Sequence, residues 1–308
     1  MCYSAQITAD YLRFIREHGA VLSLQDFYEL FWRRARETQS LKVPKALEAA
    51  LAASHDPALN DIHGLIDEYA AAQAVRLEQE LFKQRKRLAD AQRSLQAKVT
   101  QSAAEHERIA TDKVAWLLGK LSDLKRTTLT DEDARLFPGW MAPVMVMEGG
   151  RRVVKPMRYQ CRPAGKPASH DRQFPGTYNA RRDNLEGFWK GQFGRTHGLL
   201  VVNAFYENVA RDGANVVLEF RPRPRQDMLV ACLWSRWSAP GEPDLLSFAA
   251  ITDAPPEEIA AAGHDRCIIP IRAEHIDAWL TPQASDLRRQ YEILDDRERP
   301  YFENRLAA

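Results

Sequence analysis

The chain has 308 residues and a formal net charge of +1, from 43 Lys and Arg against 42 Asp and Glu. Its 45% hydrophobic and 28% charged shares are those of an ordinary globular protein. Near-neutrality excludes nucleic-acid binding by bulk charge, so any such affinity must come from a local basic surface.

At the N-terminus, MCYSAQITAD has neither the basic start nor the apolar centre of a signal peptide. Nowhere does an apolar run approach the roughly 18 residues of a membrane-spanning helix. Residues 9–130 read as helical. From Asp61 to Lys125 there is no proline, and Ala, Leu, Glu, Gln, Lys and Arg dominate. A seven-residue spacing through Leu81, Leu88, Leu95, Ser102, Ile109 and Trp116 predicts long helices packed as a hairpin or short coiled coil. Lys83, Arg85, Lys86 and Arg87 flank that stripe; they could touch DNA, but such a run reads first as a solvated face.

After residue 130 prolines and glycines become frequent and short β-type runs appear. Val144–Met147 and Val153–Val154 flank Gly149-Gly150 and predict a hairpin. Further strands are expected at Leu199–Tyr206, Val216–Phe220, Leu229–Trp234, Phe248–Thr252 and Cys267–Ile271, with a short helix near Glu274–Leu280. The fold class expected is α+β. The cysteines (Cys2, Cys161, Cys232 and Cys267) are scattered with no CxxC pair. They predict neither a metal site nor a disulfide framework, and a reducing cytoplasm is the expected location.

Several residues could carry chemistry. A Met-Cys start exposes Cys2 as an N-terminal residue once Met1 is removed. Cys2 then bears an α-amine with a pKa of about 7.7–8.0 beside a thiol of about 8.5. That pair suits an aldehyde: the amine forms a Schiff base and the thiol closes a five-membered thiazolidine on the same carbon. Glu207 follows Asn203-Ala204-Phe205-Tyr206 and is expected where a strand meets a turn, a usual place for an acid/base group. His264, in Gly263-His264-Asp265-Arg266, has a side chain that titrates near neutrality. Asn179-Ala180-Arg181 is the remaining short motif. Taken singly, each also reads as a structural or solvated residue.

In order along the chain, Met1-Cys2, Asn179-Ala180-Arg181, Phe205-Tyr206-Glu207 and His264-Asp265-Arg266 resemble the motifs of the SOS-response-associated peptidase (SRAP) family of abasic-site-processing proteins. The likeness covers residues 1–8 and about 130–290. It implies a barrel-like mixed β core with flanking helices, made discontinuously from 1–8 and 130–308, and a helical insertion at 9–129. By carry-over Cys2 is the nucleophile that captures abasic sites in single-stranded DNA, and Asn179 orients its amine. Glu207 is then the general acid/base, His264 moves protons at the sugar oxygen, and Arg181 clamps a phosphate. No cofactor is implied. The chain departs from the family pattern at Tyr3-Ser4 (Gly-Arg in the family), Ala204 (Gly) and Asn208 (Trp).

Between Gly150 and Arg182 nine Lys and Arg face only Asp171, with Tyr159, Phe174 and Tyr178 interleaved. Arg158, Arg162, Arg182 and Tyr159 are accordingly expected at a single-strand groove together with Arg181. Two other readings stand beside this one. Cys2, His264 and Glu207 would also compose a thiol peptidase, with Met1 removal as its minimal reaction. Alternatively, helices 60–125 would serve self-association or a protein partner.

Overall fold

The structure, a computed structural model, describes residues 4–7, 16–37, 41–211 and 213–307. Helix α1 (Leu24–Arg36) buries Phe27, Leu30, Phe31 and Arg34 along one stripe, with Asp26 in its first turn and Arg33, Arg34 and Arg36 in its last. Both the apolar period and the charge order suit a helix. Arg34 joins it to its neighbours: the guanidinium pairs with Glu48 of α2 (Lys45–Ala52) at 2.5 Å and lies 4.0 Å from the ring centroid of Tyr69 on α3 (Asn60–Ala97).

Helix α3 has 38 residues, or about 57 Å at 1.5 Å per residue. Only its first turns, through Ile62, Leu65 and Ile66, join the main core. Further on, Leu81 packs with Leu117 and Leu121 of α4 (Gln101–Lys125) in a separate cluster edged by Leu77 and Val114. The chain reverses at Lys98–Thr100, and the Thr100 hydroxyl caps α4 by accepting from Ala103 N at 3.2 Å. The reversal cuts the seven-residue spacing. Leu81 is buried, whereas Trp116 at its far end is 59% exposed.

The remaining helices are short: α5 (His170–Gln173), α6 (Glu257–Ala261), α7 (Ile276–Leu280) and α8 (Leu287–Asp295). The strands are β1 (Ser4–Ile7), β2 (Val21–Leu22), β3 (Arg135–Leu136), β4 (Met141–Glu148), β5 (Arg151–Tyr159), β6 (Asn179–Arg181) and β7 (His197–Arg211). They continue with β8 (Ala214–Arg223), β9 (Met228–Ala239), β10 (Glu242–Asp253), β11 (Cys267–Ile268), β12 (Pro270–Ile271) and β13 (Tyr301–Leu306). All belong to one mixed sheet, in the order β12-β9-β10-β5-β4-β7-β1-β3. Because β9 also pairs with β7, the path β9-β10-β5-β4-β7 returns to its start. The architecture is thus a large mixed sheet with eight α-helices among the described residues.

The expected hairpin at Gly149-Gly150 forms, with φ of 56° and 75° at the two glycines and Glu148 opposite Arg151. Three expectations change. Val21–Leu22, within the stretch read as helical, lies parallel to Val153–Val154 as an added edge to β5. The strand expected at Leu199–Tyr206 runs on to Arg211, because β8 pairs with it as far as Arg211↔Ala214. Glu207 is therefore strand-interior rather than at a turn. Ile269 divides the expected strand Cys267–Ile271, whose first half pairs with β10 and second half with β9.

Candidate active site

Glu207 points from the middle of β7 into the protein and is 0% exposed. Its Oε2 lies 3.2 Å from Nε2 of His264. The loop carrying His264 is held close by Gly263, which adopts φ +96°; a Cβ there would stand 2.8 Å from Val209 Cγ1. No other residue type fits both conditions. The imidazole is 7% exposed, and burial lowers its pKa below the ordinary histidine value.

The Nδ1 of His264 sits 3.0 Å from the carbonyl oxygen of Arg266, with the Arg266 N–H farther off at 3.4 Å. A carbonyl only accepts, so the shorter contact assigns the Nδ1 proton to that bond. Nε2 is then the nitrogen that faces the Glu207 carboxylate, and a hydrogen bond between the two requires one further proton. The pair can pass a proton to or from a reacting group at little cost in charge separation.

Asn179 opens β6 and is 8% exposed. Among the described residues neither its Oδ1 nor its Nδ2 has a hydrogen-bond partner. A buried amide in that state costs about 1–3 kcal/mol, which suits a side chain awaiting a ligand or a mobile group. β6 lies parallel to the end of β10, with Arg181 opposite Thr252, and β11 flanks the same residue through Ile268. Arg181 is within electrostatic reach of Asp265, as Glu207 is of Cys267. The tertiary structure therefore brings Asn179, Arg181, Glu207 and His264, far apart in sequence, to one end of β10.

Cys2 lies outside the described residues, as does Tyr3. The strand that follows is firmly placed. Ser4 is opposite Tyr206, next to Glu207. Its hydroxyl accepts from Arg135 Nε at 3.0 Å, and the Arg135 guanidinium stacks 4.0 Å from the Tyr206 ring. Gln6 Oε1 accepts from Tyr206 Oη at 3.1 Å and from Arg221 Nη2 at 2.8 Å. Sequence reasoning missed this polar clasp on β1; its only trace in the sequence was a buried-type strand, Ser-Ala-Gln-Ile, with two polar members. The remaining cysteines are buried: burial pushes Cys161 up to about 12 and raises Cys232 and Cys267 strongly. All three are poor nucleophiles at neutral pH.

The expected DNA-facing residues fare unevenly. Tyr159 is 1% exposed, stacked on Phe248 with centroids 5.1 Å apart and edge-on to Tyr178 at 5.6 Å. As a core ring it presents no face to a base, because the parallel pairing of β5 with β10 sets Tyr159 opposite Phe248. Arg158 and Arg162 both bind Asp171, the former at 2.7 Å. Arg182 is held by Asp253 at 3.0 Å and Asp295 at 2.6 Å. Arg152 and Lys155 likewise pair with Asp277 and with Asp26 and Glu148. Much of the basic segment is thus neutralised by acids remote in sequence. Arg181 is half-exposed and pairs with Asp183 at 2.5 Å. Phe174 and Phe188 are 47% and 39% exposed, with centroids 6.0 Å apart.

A family model described as SOS response associated peptidase (SRAP) matches residues 89–305. No curated protein gives a significant match. Among solved structures, a Bordetella bronchiseptica protein is 19% identical, with a TM-score of 0.47, over 57% of this chain and 87% of its own. A Bacteroides thetaiotaomicron protein is 12% identical, with a TM-score of 0.49, over 57% and 78%. A phage-related protein from Bordetella bronchiseptica is 19% identical, with a TM-score of 0.43, over 60% and 85%.

Proposed function

The chain belongs to the SOS response associated peptidase family, and from that premise we propose that it captures abasic sites in single-stranded DNA covalently through Cys2. The observation that carries this reading is the buried Glu207–His264 pair beside the strand that leads to Cys2. Two residues of chain reach at most about 7 Å. Ser4 stands opposite Tyr206, the chain neighbour of Glu207, and Cys2 is two residues before Ser4 in the sequence.

The chemistry follows from the groups present. An abasic deoxyribose opens to an aldehyde at C1′. The Cys2 amine, freed by removal of Met1, adds to that carbon, and loss of one water gives the imine. The thiol then adds to the same carbon, its proton passing to the imine nitrogen, and a thiazolidine closes. Glu207 and His264 exchange the protons of ring opening and water loss. Asn179, with an amide that lacks a partner among the described residues, orients the amine. The Arg181 guanidinium turns from Asp183 to a phosphate. Phe174 and Phe188 offer the stacking faces that Tyr159 does not. Arg135, at Ser4, supplies a guanidinium where the family carries one at the fourth position.

The circuit of strand pairings supports reading the sheet as the barrel-like core expected from the family likeness. On this reading the segment up to residue 129 is largely an insertion, although the family match begins at residue 89 and β2 lies within it. Three free, buried thiols accord with a reducing cytoplasm. Among the described residues no helix is long and apolar enough to cross a membrane.

The test is a denaturing gel of the protein incubated with a single-stranded oligonucleotide bearing one abasic site. Wild type is expected to give a retarded band and Cys2→Ala none; an undiminished band in the variant would sink the proposal. Intact mass, one methionine short of the full chain, checks the free amine. The family description also names a peptidase. That reading predicts that Glu207→Ala or His264→Ala retains Met1, whereas capture chemistry does not require it to.

A further inference from the structure

The α3–α4 hairpin carries positive charge of a kind that the sheet largely lacks. On the sheet, arginines are commonly locked to acids, as in the Arg158, Arg162 and Arg182 pairs. On α3, Lys83, Arg85, Lys86 and Arg87 form no ion pair to any described residue, nor does Lys98 at the turn. Several of the hairpin's acids are engaged by other partners: Asp90 with Arg93, Glu78 with Lys125, Glu105 and Asp112 with Arg108, and Glu80 with the Gln84 amide.

Lys83, Lys86 and Arg87 stand at helical spacings of three and four and line a groove between the helices of about 540 Å³. Ser94, Thr100, Ser102 and His106 line it too, and Asp90 is the one acid among the described residues that line it. Three cations and three hydroxyls are a donor set for phosphate oxygens. Phe82, next to Lys83 in the chain, is 73% exposed, and Trp116 on α4 is 59% exposed. Cations with exposed rings at intervals are what single strands recognise: charge for the backbone and flat faces for bases.

We propose that the hairpin is an arm that binds the phosphodiester backbone of single-stranded nucleic acid through Lys83, Lys86 and Arg87, with Phe82 as a stacking face. The proposal rests on the reading that the protein works on DNA, and it deepens that reading. From Leu65, the last main-core leucine on α3, to Lys86 the helix rises about 32 Å. The arm therefore contacts strand outside the lesion site and holds the protein on a long single strand without touching the reacting sugar.

The experiment uses the full chain and undamaged oligonucleotides, so it requires neither Cys2 nor an abasic site. Fluorescence anisotropy of labelled single strands of 12 and 60 nucleotides is read across a salt series, for wild type and for Lys83→Gln/Lys86→Gln/Arg87→Gln. The side chains are at the surface, and unchanged circular dichroism confirms the helices. For the long strand we expect the variant to bind about 10-fold or more weakly, with a salt slope shallower by about 2, since each lost phosphate contact removes about 0.7. The 12-nucleotide strand is expected to bind both proteins nearly alike. Phe82→Ala is expected to weaken binding to the single strand but not to a duplex of the same length. Equal slopes and affinities for wild type and triple variant on the long strand would overturn the proposal and leave the arm's charge for an acidic protein partner. Arm-dependent binding without any abasic crosslink would keep this inference and remove the capture reading instead.

Discussion

At the residue scale, the site is built from groups that burial makes costly. Glu207 is fully enclosed in β7 and is held opposite His264, an arrangement of limited use to folding. An ion pair or shared proton in such surroundings rarely repays its desolvation. Asn179 offers a sharper test, because its amide is buried without a partner among the described residues. Replacing it by Ala removes unsatisfied polar atoms, so Asn179→Ala is expected to leave the melting temperature unchanged or raise it by a few degrees. Crosslinking should nevertheless slow by 10-fold or more in single-turnover gels. A structural role for Asn179 would show as a loss of stability, without slower crosslinking in the folded fraction. The sequence singled out Asn179, Glu207 and His264 as residue types in motifs. The reading that ended the strand at Tyr206 passed over Asp212-Gly213, a hairpin dipeptide, and the pairing of β8 with β7 as far as Arg211 puts Glu207 inside the strand.

At the element scale, the helices and the sheet are stabilised by different means. The root of the arm is tied down by Ile62, Leu65 and Ile66 in the main core and by Arg34 over Tyr69. Beyond the root, the one buried apolar cluster among the described residues is Leu81, Leu117 and Leu121. Long helices with so small a core have low local stability. Leu117→Ala, which removes a 2% exposed side chain, is expected to cost about 2–4 kcal/mol locally. Hydrogen exchange should report faster exchange across residues 74–120 while the amides of β7, β9 and β10 keep their protection. A uniform loss over both regions would show that the arm and sheet melt as one unit. Composition made the helices legible, but not the hairpin's seam. The seven-residue spacing ran through Ser102 and Trp116 as though the helix were continuous, whereas the reversal at Lys98–Thr100 puts Leu77, Leu81, Val114, Leu117 and Leu121 together instead. In the sheet, Gly149-Gly150 announced its hairpin directly. The strand β6 and the split at Ile269 did not announce themselves, because each is set by a partner strand remote in sequence.

At the scale of the whole molecule, the sheet is closed over by α7, and His197 lies at that junction. Gly194 N donates to its Nε2 at 2.8 Å, and its Nδ1 donates to the Trp279 carbonyl at 3.1 Å. Burial pushes its pKa down to about 3, against the partly offsetting bond to Trp279. The unfolded chain binds a proton there near pH 6.5 and the native one does not, so the stability this neutral histidine contributes is present above 6.5 and is lost as pH falls toward 3. One such group is worth about 1.4 kcal/mol per pH unit inside that window. Urea unfolding of the wild type should lose stability from pH 6 to 4, and His197→Gln, which retains amide donors and acceptors, should show a shallower slope. Parallel slopes for the two proteins would remove His197 as the cause.

By itself, the sequence determined the local terms: the helical composition before residue 130, the β-rich texture after it, and the motifs whose order resembles one family. Those follow from propensity, turn chemistry and residue type, which act over a few residues. The tertiary structure alone decided which charges are spent and which are free. The basic run from Gly150 to Arg182 looked like an open groove because only Asp171 was nearby in sequence. The fold supplied Asp26, Asp253, Asp277 and Asp295 from elsewhere, while Lys83, Lys86 and Arg87, which had read first as solvated charge, form no ion pair among the described residues. Ion pairing acts across space over a few ångströms, and only the packed chain sets those distances.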